Sequence, residues 1–201
     1  MKTLKRFLMV AFAALAFTAC NNDDLYPWEE EMNKWLENNS FNAAQVSSKL
    51  VEMGSIYSTE LYLYRDGKPY KKDNLVRIPG LGSESFIFDD NGICYHSWSD
   101  EFSGDLLYKK FYWTYNADSK EIVTWDASNE EMKAKVKGIS DDKVIFDGNI
   151  CNTADIMGHL EDTGELVHYL DYGCYLRYVM VKGQLTLEYL LENGKDVDRL
   201  E

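Results

Sequence analysis

The chain has 201 residues, 21 of them basic and 34 acidic, so its formal net charge is −13 at pH 7. A chain this acidic repels phosphate backbones and anionic lipid head groups, which argues against nucleic-acid binding. The length allows one domain with a sizeable core and argues against a second full domain. Aromatic residues make up 14% of the chain and there are only 3 prolines, a composition that favours strands over a disordered stalk.

The first 19 residues predict a secretory signal peptide. Lys2, Lys5 and Arg6 precede an uncharged, mostly apolar stretch at residues 7–18. That stretch is shorter than the roughly 20 residues that a helix needs to cross a membrane. A basic start followed by a short apolar core and small residues is typical of a segment that is removed on export.

Residues 20–26 predict a lipidated cysteine and an acidic linker. The sequence FTAC at residues 17–20 resembles a lipobox, in which a small residue precedes a cysteine that receives diacylglycerol, although Phe17 stands where Leu is usual. The following NNDD resembles the export signal of surface lipoproteins in Gram-negative gut anaerobes. These resemblances imply an outer-membrane protein anchored by lipid on Cys20 and exposed at the cell surface. The periplasmic face is the alternative.

Residues 27–54 predict a helical segment. Pro27 stands where a helix can begin, and glutamates follow in the first turn, at the positive end of the helix dipole. Trp28 and Trp35 fall on one stripe at helical spacing. The first helix should end near residues 38–39, and a second should run over residues 42–53, with a glycine closing it.

From residue 56 onward the hydrophobic period changes to two, which predicts strands. We expect eight strands, at residues 56–65, 85–88, 93–98, 106–115, 121–125, 131–137, 143–146 and 174–182, with a further edge segment over 75–78. Eight hairpin-linked strands favour a sandwich or barrel, and eight also closes a small up-and-down barrel. The prediction is a mainly β chain: an eight-stranded antiparallel up-and-down barrel over 55–182, one or two short N-terminal helices, and a C-terminal tail over 183–201.

The clearest alternation is MKAKVK at residues 132–137. Met132, Ala134 and Val136 should face the barrel interior and the three lysines should face water. The connection from 148 to 174 is too long for a plain hairpin loop. We expect a helical turn over 154–160 and either helix or strand over 165–170, and the tail should pack on the barrel as a final helix or strand.

Four segments, in order, resemble those of bacterial lipocalin-like lipoprotein domains. They are SFIFDDNG at 85–92, FYWTYN at 111–116, KVKGISDDKVIF at 135–146 and RYVM at 177–180. The resemblance spans residues 55–182 and implies a lipocalin-like barrel. At 54–57 the chain has GSIY where many members have Gly-x-Trp. Most members have no assigned activity, so the resemblance implies a fold more than a function.

Three cysteines remain once Cys20 is assigned to the anchor: Cys94, Cys151 and Cys174. Export permits a disulfide, and an odd number leaves at least one thiol unpaired. Cys151 and Cys174 bracket one long loop and are the predicted pair. Three buried free thiols are the alternative.

The sequence offers little for catalysis. The three histidines form no pair at metal-ligand spacing. There is no phosphate-binding glycine loop, nucleophile elbow or CxxC motif. We therefore expect no catalytic residue, no metal and no cofactor, and the chain is not expected to be an enzyme.

Aromatic residues give the one positive indication of binding. The candidate lining of a cavity for an apolar ligand is Phe111, Trp113, Tyr115, Trp125, Met132 and Val136. Two alternatives stay open for the aromatics: the N-terminal helices, with Trp28 and Trp35, cover an outer aromatic face, or a Tyr/Trp platform stacks on sugar rings.

We therefore expect a membrane-anchored, non-catalytic binding protein for a small apolar molecule or a glycan. The alternative is a structural or accessory interaction subunit of an outer-membrane assembly, with no small ligand. A cavity would favour the first function, and a filled core with an exposed apolar patch would favour the second.

Overall fold

A computed structural model describes residues 27–70, 84–151, 157–159, 166–168 and 173–199. The predicted signal peptide, the predicted lipid-attachment residue Cys20 and the predicted edge segment over 75–78 lie outside the described residues. The chain divides into two compact units, residues 1–37 and 38–201. No helix among the described residues is long and apolar enough to cross a membrane.

Two short helical elements precede the strands, as predicted. Helix α1 spans Pro27–Asn38, with Glu29 and Glu30 in its first turn. A 3₁₀ turn, Ala43–Gln45, leads into helix α2, Val46–Met53. Gly54 ends α2 with a φ of +69°, a left-handed conformation that glycine adopts without a steric penalty.

The described chain contains twelve strands or short bridges. They are β1 (Ser55–Arg65), β2 (Lys68–Pro69), β3 (Ser85–Phe88), β4 (Ile93–Ser99), β5 (Leu106–Asn116), β6 (Glu121–Trp125), β7 (Glu131–Ile139), β8 (Lys143–Gly148), β9 (Met157–His159), β10 (Leu166–His168), β11 (Cys174–Lys182) and β12 (Lys195–Asp196).

Eight of these strands close into an antiparallel barrel. The order is β1, β3, β4, β5, β6, β7, β8 and β11, and β11 pairs back onto β1 from Arg65↔Cys174 to Ile56↔Lys182. The pairing of β11 with β1 runs along most of both strands and closes the sheet on itself. The predicted eight-stranded up-and-down barrel is confirmed, and its topology is the one that lipocalins have.

The inner face of the barrel follows the predicted alternation. On β7, Ala134 and Val136 are buried and Met132 packs against the same core. Lys133 and Lys135 on the same strand are exposed. This alternation fixes the register, because a slip by one residue would turn the lysines inward.

Helix α2 closes one end of the barrel. Its Val46, Leu50 and Met53 recur on one helical face, are fully buried, and belong to the same core cluster as the inner barrel residues Phe88 and Trp113. We call this the α2 end. The β3–β4 turn lies beside it, and β4 runs from there toward the opposite end, which we call the mouth.

The long connection between β8 and β11 contains a second, two-stranded sheet of β9 and β10. The predicted helical turn over 154–160 is wrong at residues 157–159, which pair as a strand with residues 166–168. Gly158 at the centre of β9 weakens a helix, whereas the antiparallel pairing satisfies the backbone groups of both segments. For residues 165–170 the prediction was either helix or strand, and residues 166–168 form a strand.

The C-terminal tail packs on the outer face of the barrel, as predicted. Helix α3, Leu187–Asn193, is capped by the Thr186 side chain, which accepts a hydrogen bond from the backbone of Tyr189. Leu190 of α3 is buried against Ile87, Tyr95 and Tyr108, which project outward from β3, β4 and β5. Strand β12 then pairs in parallel with β5.

The tail therefore covers the outer aromatic residues Tyr95 and Tyr108. Trp28 and Trp35 lie on α1, in the first compact unit. The alternative in which they cover an outer aromatic face stays a prediction.

Candidate functional site

Five of the six candidate ligand-binding residues lie on the inner face of the barrel. Phe111, Trp113 and Val136 are buried, and Tyr115 and Met132 pack against the same cluster. The indole Nε1 of Trp113 donates a hydrogen bond to the backbone carbonyl of residue 89, at 3.1 Å. These side chains belong to the packed hydrophobic cluster of the barrel interior.

The sixth candidate, Trp125, lies on the outer face. It is paired across β5–β6 with Tyr112 and stacks on the Tyr112 ring, with 5.8 Å between the ring centroids and 25° between the planes. Tyr112 is 52% exposed. The prediction that Trp125 lines the interior is wrong, because Thr124 is the β6 residue that faces inward beside Trp113.

After β8 the chain turns into the barrel. The backbone N–H of Asn149 donates to the Lys133 carbonyl at 2.9 Å, and that of Cys151 donates to the Thr124 hydroxyl at 3.3 Å. Ile150 and Cys151 are buried within the core cluster. Residues 149–151 therefore occupy part of the interior that eight strands alone would leave open.

The predicted Cys151–Cys174 disulfide is absent, and both thiols are free and buried. Cys174 is the first residue of β11 and pairs with Arg65. The sulfur of Cys151 lies instead 3.8 Å from the sulfur of Cys94 on β4. Cys151 and Cys174 lie at the two ends of one loop in the sequence. They do not form the predicted pair because residues 149–151 turn into the barrel interior.

Aromatic side chains meet on the inner face toward the mouth. The ring of His96 stacks on that of Phe86, with centroids 4.7 Å apart and 6° between the planes. The ring of His96 also lies near that of Trp98, with 5.1 Å between the centroids and 42° between the planes. Phe86 is fully buried, whereas His96 and Trp98 are partly accessible. Among the described residues, His96 Nε2 has no hydrogen-bond partner, although Glu84 Oε2 lies 3.4 Å away.

A charged pair stands beside this stack. Lys109 Nζ lies 2.9 Å from Asp126 Oδ2 and 5.0 Å from the centroid of the Phe111 ring. Hydrogen bonds from Ser128, and then from Lys109, lower the pKa of Asp126 to about 2. Both side chains keep part of their surface in contact with solvent. We call the five residues Phe86, His96, Trp98, Lys109 and Asp126 the mouth cluster.

Two surface grooves flank α2 at the other end. They have volumes of about 460 and 510 Å³ and share Val51, Glu52, Asp89 and Asp90 in their walls. The Asp89 carboxylate already accepts backbone hydrogen bonds from Asn91 and Ile93 within its turn. Both grooves are open clefts between α2 and the elements beside it.

The described residues contain no cluster of three or more His, Cys, Asp or Glu side chains placed to hold a metal ion. The mouth cluster offers ring faces, one ammonium group and one carboxylate. This set can bind a small molecule by stacking and hydrogen bonding.

Sequence reasoning missed the mouth cluster. The signal was the period-two spacing of Cys94, His96 and Trp98, which puts all three on one face of β4. Tyr95, on the other face of β4, is equally bulky, so the spacing alone could not show which face of β4 points into the barrel. The pairing of His96 with Lys109 depends on the β4–β5 register, which the sequence does not reveal.

No family model matches the sequence, and no curated protein matches it significantly. Among solved structures, the chain is similar to the odorant-binding protein from bovine nasal mucosa, at 15% identity and a TM-score of 0.33, over 71% of this chain and 79% of that one. A complex of bovine odorant-binding protein with undecanal gives the same values. The pairing of the eight strands defines the barrel independently of these similarities.

Proposed function

We propose that the chain is a lipid-anchored, non-catalytic binding protein that holds a small apolar molecule or a glycan at the mouth of its barrel. The observation that supports this most is the mouth cluster. There the inner face carries partly accessible aromatic, cationic and anionic groups, whereas the inner face near α2 is closed by buried apolar side chains.

The filled interior limits the size and position of the ligand. Residues 149–151 and the side chains around Trp113 occupy the space that a deeply bound ligand would need. The ligand therefore lies against Trp98 and His96, with its polar groups toward Lys109 and Asp126. A flat apolar ring system, or a sugar ring with one apolar face, fits this combination of stacking surface and hydrogen-bonding groups.

Paired tryptophan substitutions test the position of the ligand. With N-phenyl-1-naphthylamine as an apolar probe and a methyl glucoside as a sugar probe, Trp98→Ala should raise the Kd about tenfold, a loss of roughly 1.4 kcal/mol. Trp125→Ala, on the outer face, is the matched control and should change the Kd less than twofold. The proposal fails if neither probe binds saturably, or if Trp125→Ala weakens binding as much as Trp98→Ala.

The anchor is the second part of the proposal. The basic, apolar and lipobox-like segments of residues 1–20 support lipidation of Cys20, and the acidic residues after it support export to the outer surface of the outer membrane. Cells fed a labelled fatty acid should label the wild-type chain but not Cys20→Ala. Protease added to intact cells should digest a surface protein and spare a periplasmic one. Persistent labelling of Cys20→Ala would contradict the anchor.

An accessory subunit of an outer-membrane assembly is the second candidate. It is favoured by the filled interior and by large apolar side chains that remain exposed, namely Phe102, Tyr112, Tyr189 and Leu191. They come from three separate elements: Phe102 from the β4–β5 turn, Tyr112 from β5, and Tyr189 and Leu191 from α3. For that reason we favour the binding protein, and recovery of a stoichiometric protein partner after cross-linking would reverse the preference.

A further inference from the structure

The two buried thiols in the barrel core stand close enough to react with each other. The sulfurs of Cys94 and Cys151 are 3.8 Å apart, against about 2.05 Å in a disulfide. The two side chains are 0% and 3% exposed. A closing movement of less than 2 Å between the two sulfurs would join them, and both residues belong to the same core cluster.

The partners belong to segments that are 57 residues apart in sequence. Cys94 is on β4, in the barrel wall, and Cys151 ends the stretch that turns into the interior. Cys151 has a φ of +56°, a conformation that is costly for a residue with a side chain. A covalent bond to the wall would hold this strained segment in place.

We propose that Cys94 and Cys151 form a disulfide in the exported protein and that Cys174 remains a free thiol. This inference rests on the export step of the proposed function, because an oxidising compartment is where such bonds persist. Each thiol loses one proton and one electron as the S–S bond forms. The two electrons pass to the disulfide of an external thiol–disulfide oxidant, which leaves as a dithiol.

The bond forms before the barrel is fully packed. Burial, and then the contact with Cys151, raises the pKa of the Cys94 thiol in the folded chain. The thiolate is the attacking species in disulfide exchange, so the finished core slows the reaction. Exchange with the external oxidant therefore takes place while β4 and residues 149–151 are still accessible.

The test is a count of free thiols in the protein from its own cells. Membranes are quenched in acid, the chain is denatured and alkylated with iodoacetamide, and peptides are mapped by mass spectrometry. We expect one alkylated cysteine, Cys174, and one linked peptide pair containing Cys94 and Cys151. Alkylation of all three cysteines in chains that carry lipid on Cys20, or a link that includes Cys174, would overturn the proposal.

A refolding experiment separates this inference from the proposed location. The full chain, denatured and reduced, is refolded in detergent with a mixture of reduced and oxidised glutathione. The same link should form in wild type and in Cys174→Ser, and should be absent in Cys94→Ala and Cys151→Ala. Reduction should lower the Tm of wild type and Cys174→Ser by about 10 °C, because the bond closes a long loop in the unfolded chain. It should leave the Tm of Cys94→Ala and Cys151→Ala unchanged. A refolded wild-type chain in which Cys94 and Cys151 both remain free thiols would refute the inference wherever the protein resides.

Discussion

Gly148 is the residue on which the inward turn after β8 depends. Its φ is +127°, and a Cβ built there would meet the backbone carbonyl oxygen of Lys133 and lie 2.9 Å from the Cα of Ala134. Both neighbours are backbone atoms of β7 and cannot move aside without breaking the β7–β8 ladder. Gly148→Ala should cost about 2 kcal/mol in backbone strain and about 2 kcal/mol in overpacking.

Gly67 gives a matched control for that substitution. It also has a positive φ, +79°, but a Cβ there would meet nothing within 4 Å. Gly67→Ala should therefore cost about 1 kcal/mol, from backbone conformation alone. In a chain of this size the expected falls in Tm are roughly 8–16 °C for Gly148→Ala and 2–4 °C for Gly67→Ala.

Urea unfolding followed by tryptophan fluorescence measures both costs. Because only Gly148 lies close to a neighbouring strand, the free energies of unfolding of the two variants should differ by about 3 kcal/mol. If the two lose the same stability, the close approach of β8 to β7 is not what requires glycine at position 148, and the account of the inward turn is wrong.

Two further predictions concern charged pairs. Arg177 donates two hydrogen bonds to the Asp147 carboxylate, at 2.6 and 2.7 Å, and both side chains are largely buried. Asp147→Asn should therefore lower the free energy of unfolding by about 3 kcal/mol. An unchanged urea midpoint would contradict this. Since the pKa of Asp126 is lowered from 3.8 to about 2, its stabilising effect is present above pH 3.8 and is lost as the pH falls toward 2. Asp126→Asn should therefore be less stable than wild type near neutral pH, and the difference should vanish only below about pH 2, where the carboxyl is protonated in the folded chain as well; a pH-independent difference would show that the charge is not the cause.

The strand pattern could be predicted because one face of each strand is buried. The bounds of β3, β6 and β11 agree with the prediction, since short turns rich in Asp, Asn and Gly delimit them. β7 and β8 run two residues further than predicted at their C-terminal ends, to Ile139 and Gly148. There the ladder continues past a bulge between Val136 and Gly138, which interrupts the alternation on which the prediction relied.

The site was harder to predict, because it depends on contacts between distant segments. Trp125 was expected to line the interior, and only its pairing with Tyr112 shows that it lies on the outer face. The contact of Cys151 with Cys94 needs the backbone conformation of Gly148, which no pattern of side chains encodes.

Native mass spectrometry of the full chain, released gently from its own membranes, tests the central claim most directly. We expect the mass of the polypeptide from Cys20 onward plus its acyl chains, together with one additional small molecule that is lost in Trp98→Ala and kept in Trp125→Ala. A lipidated chain that carries no small molecule, or that always carries a second protein, would contradict it.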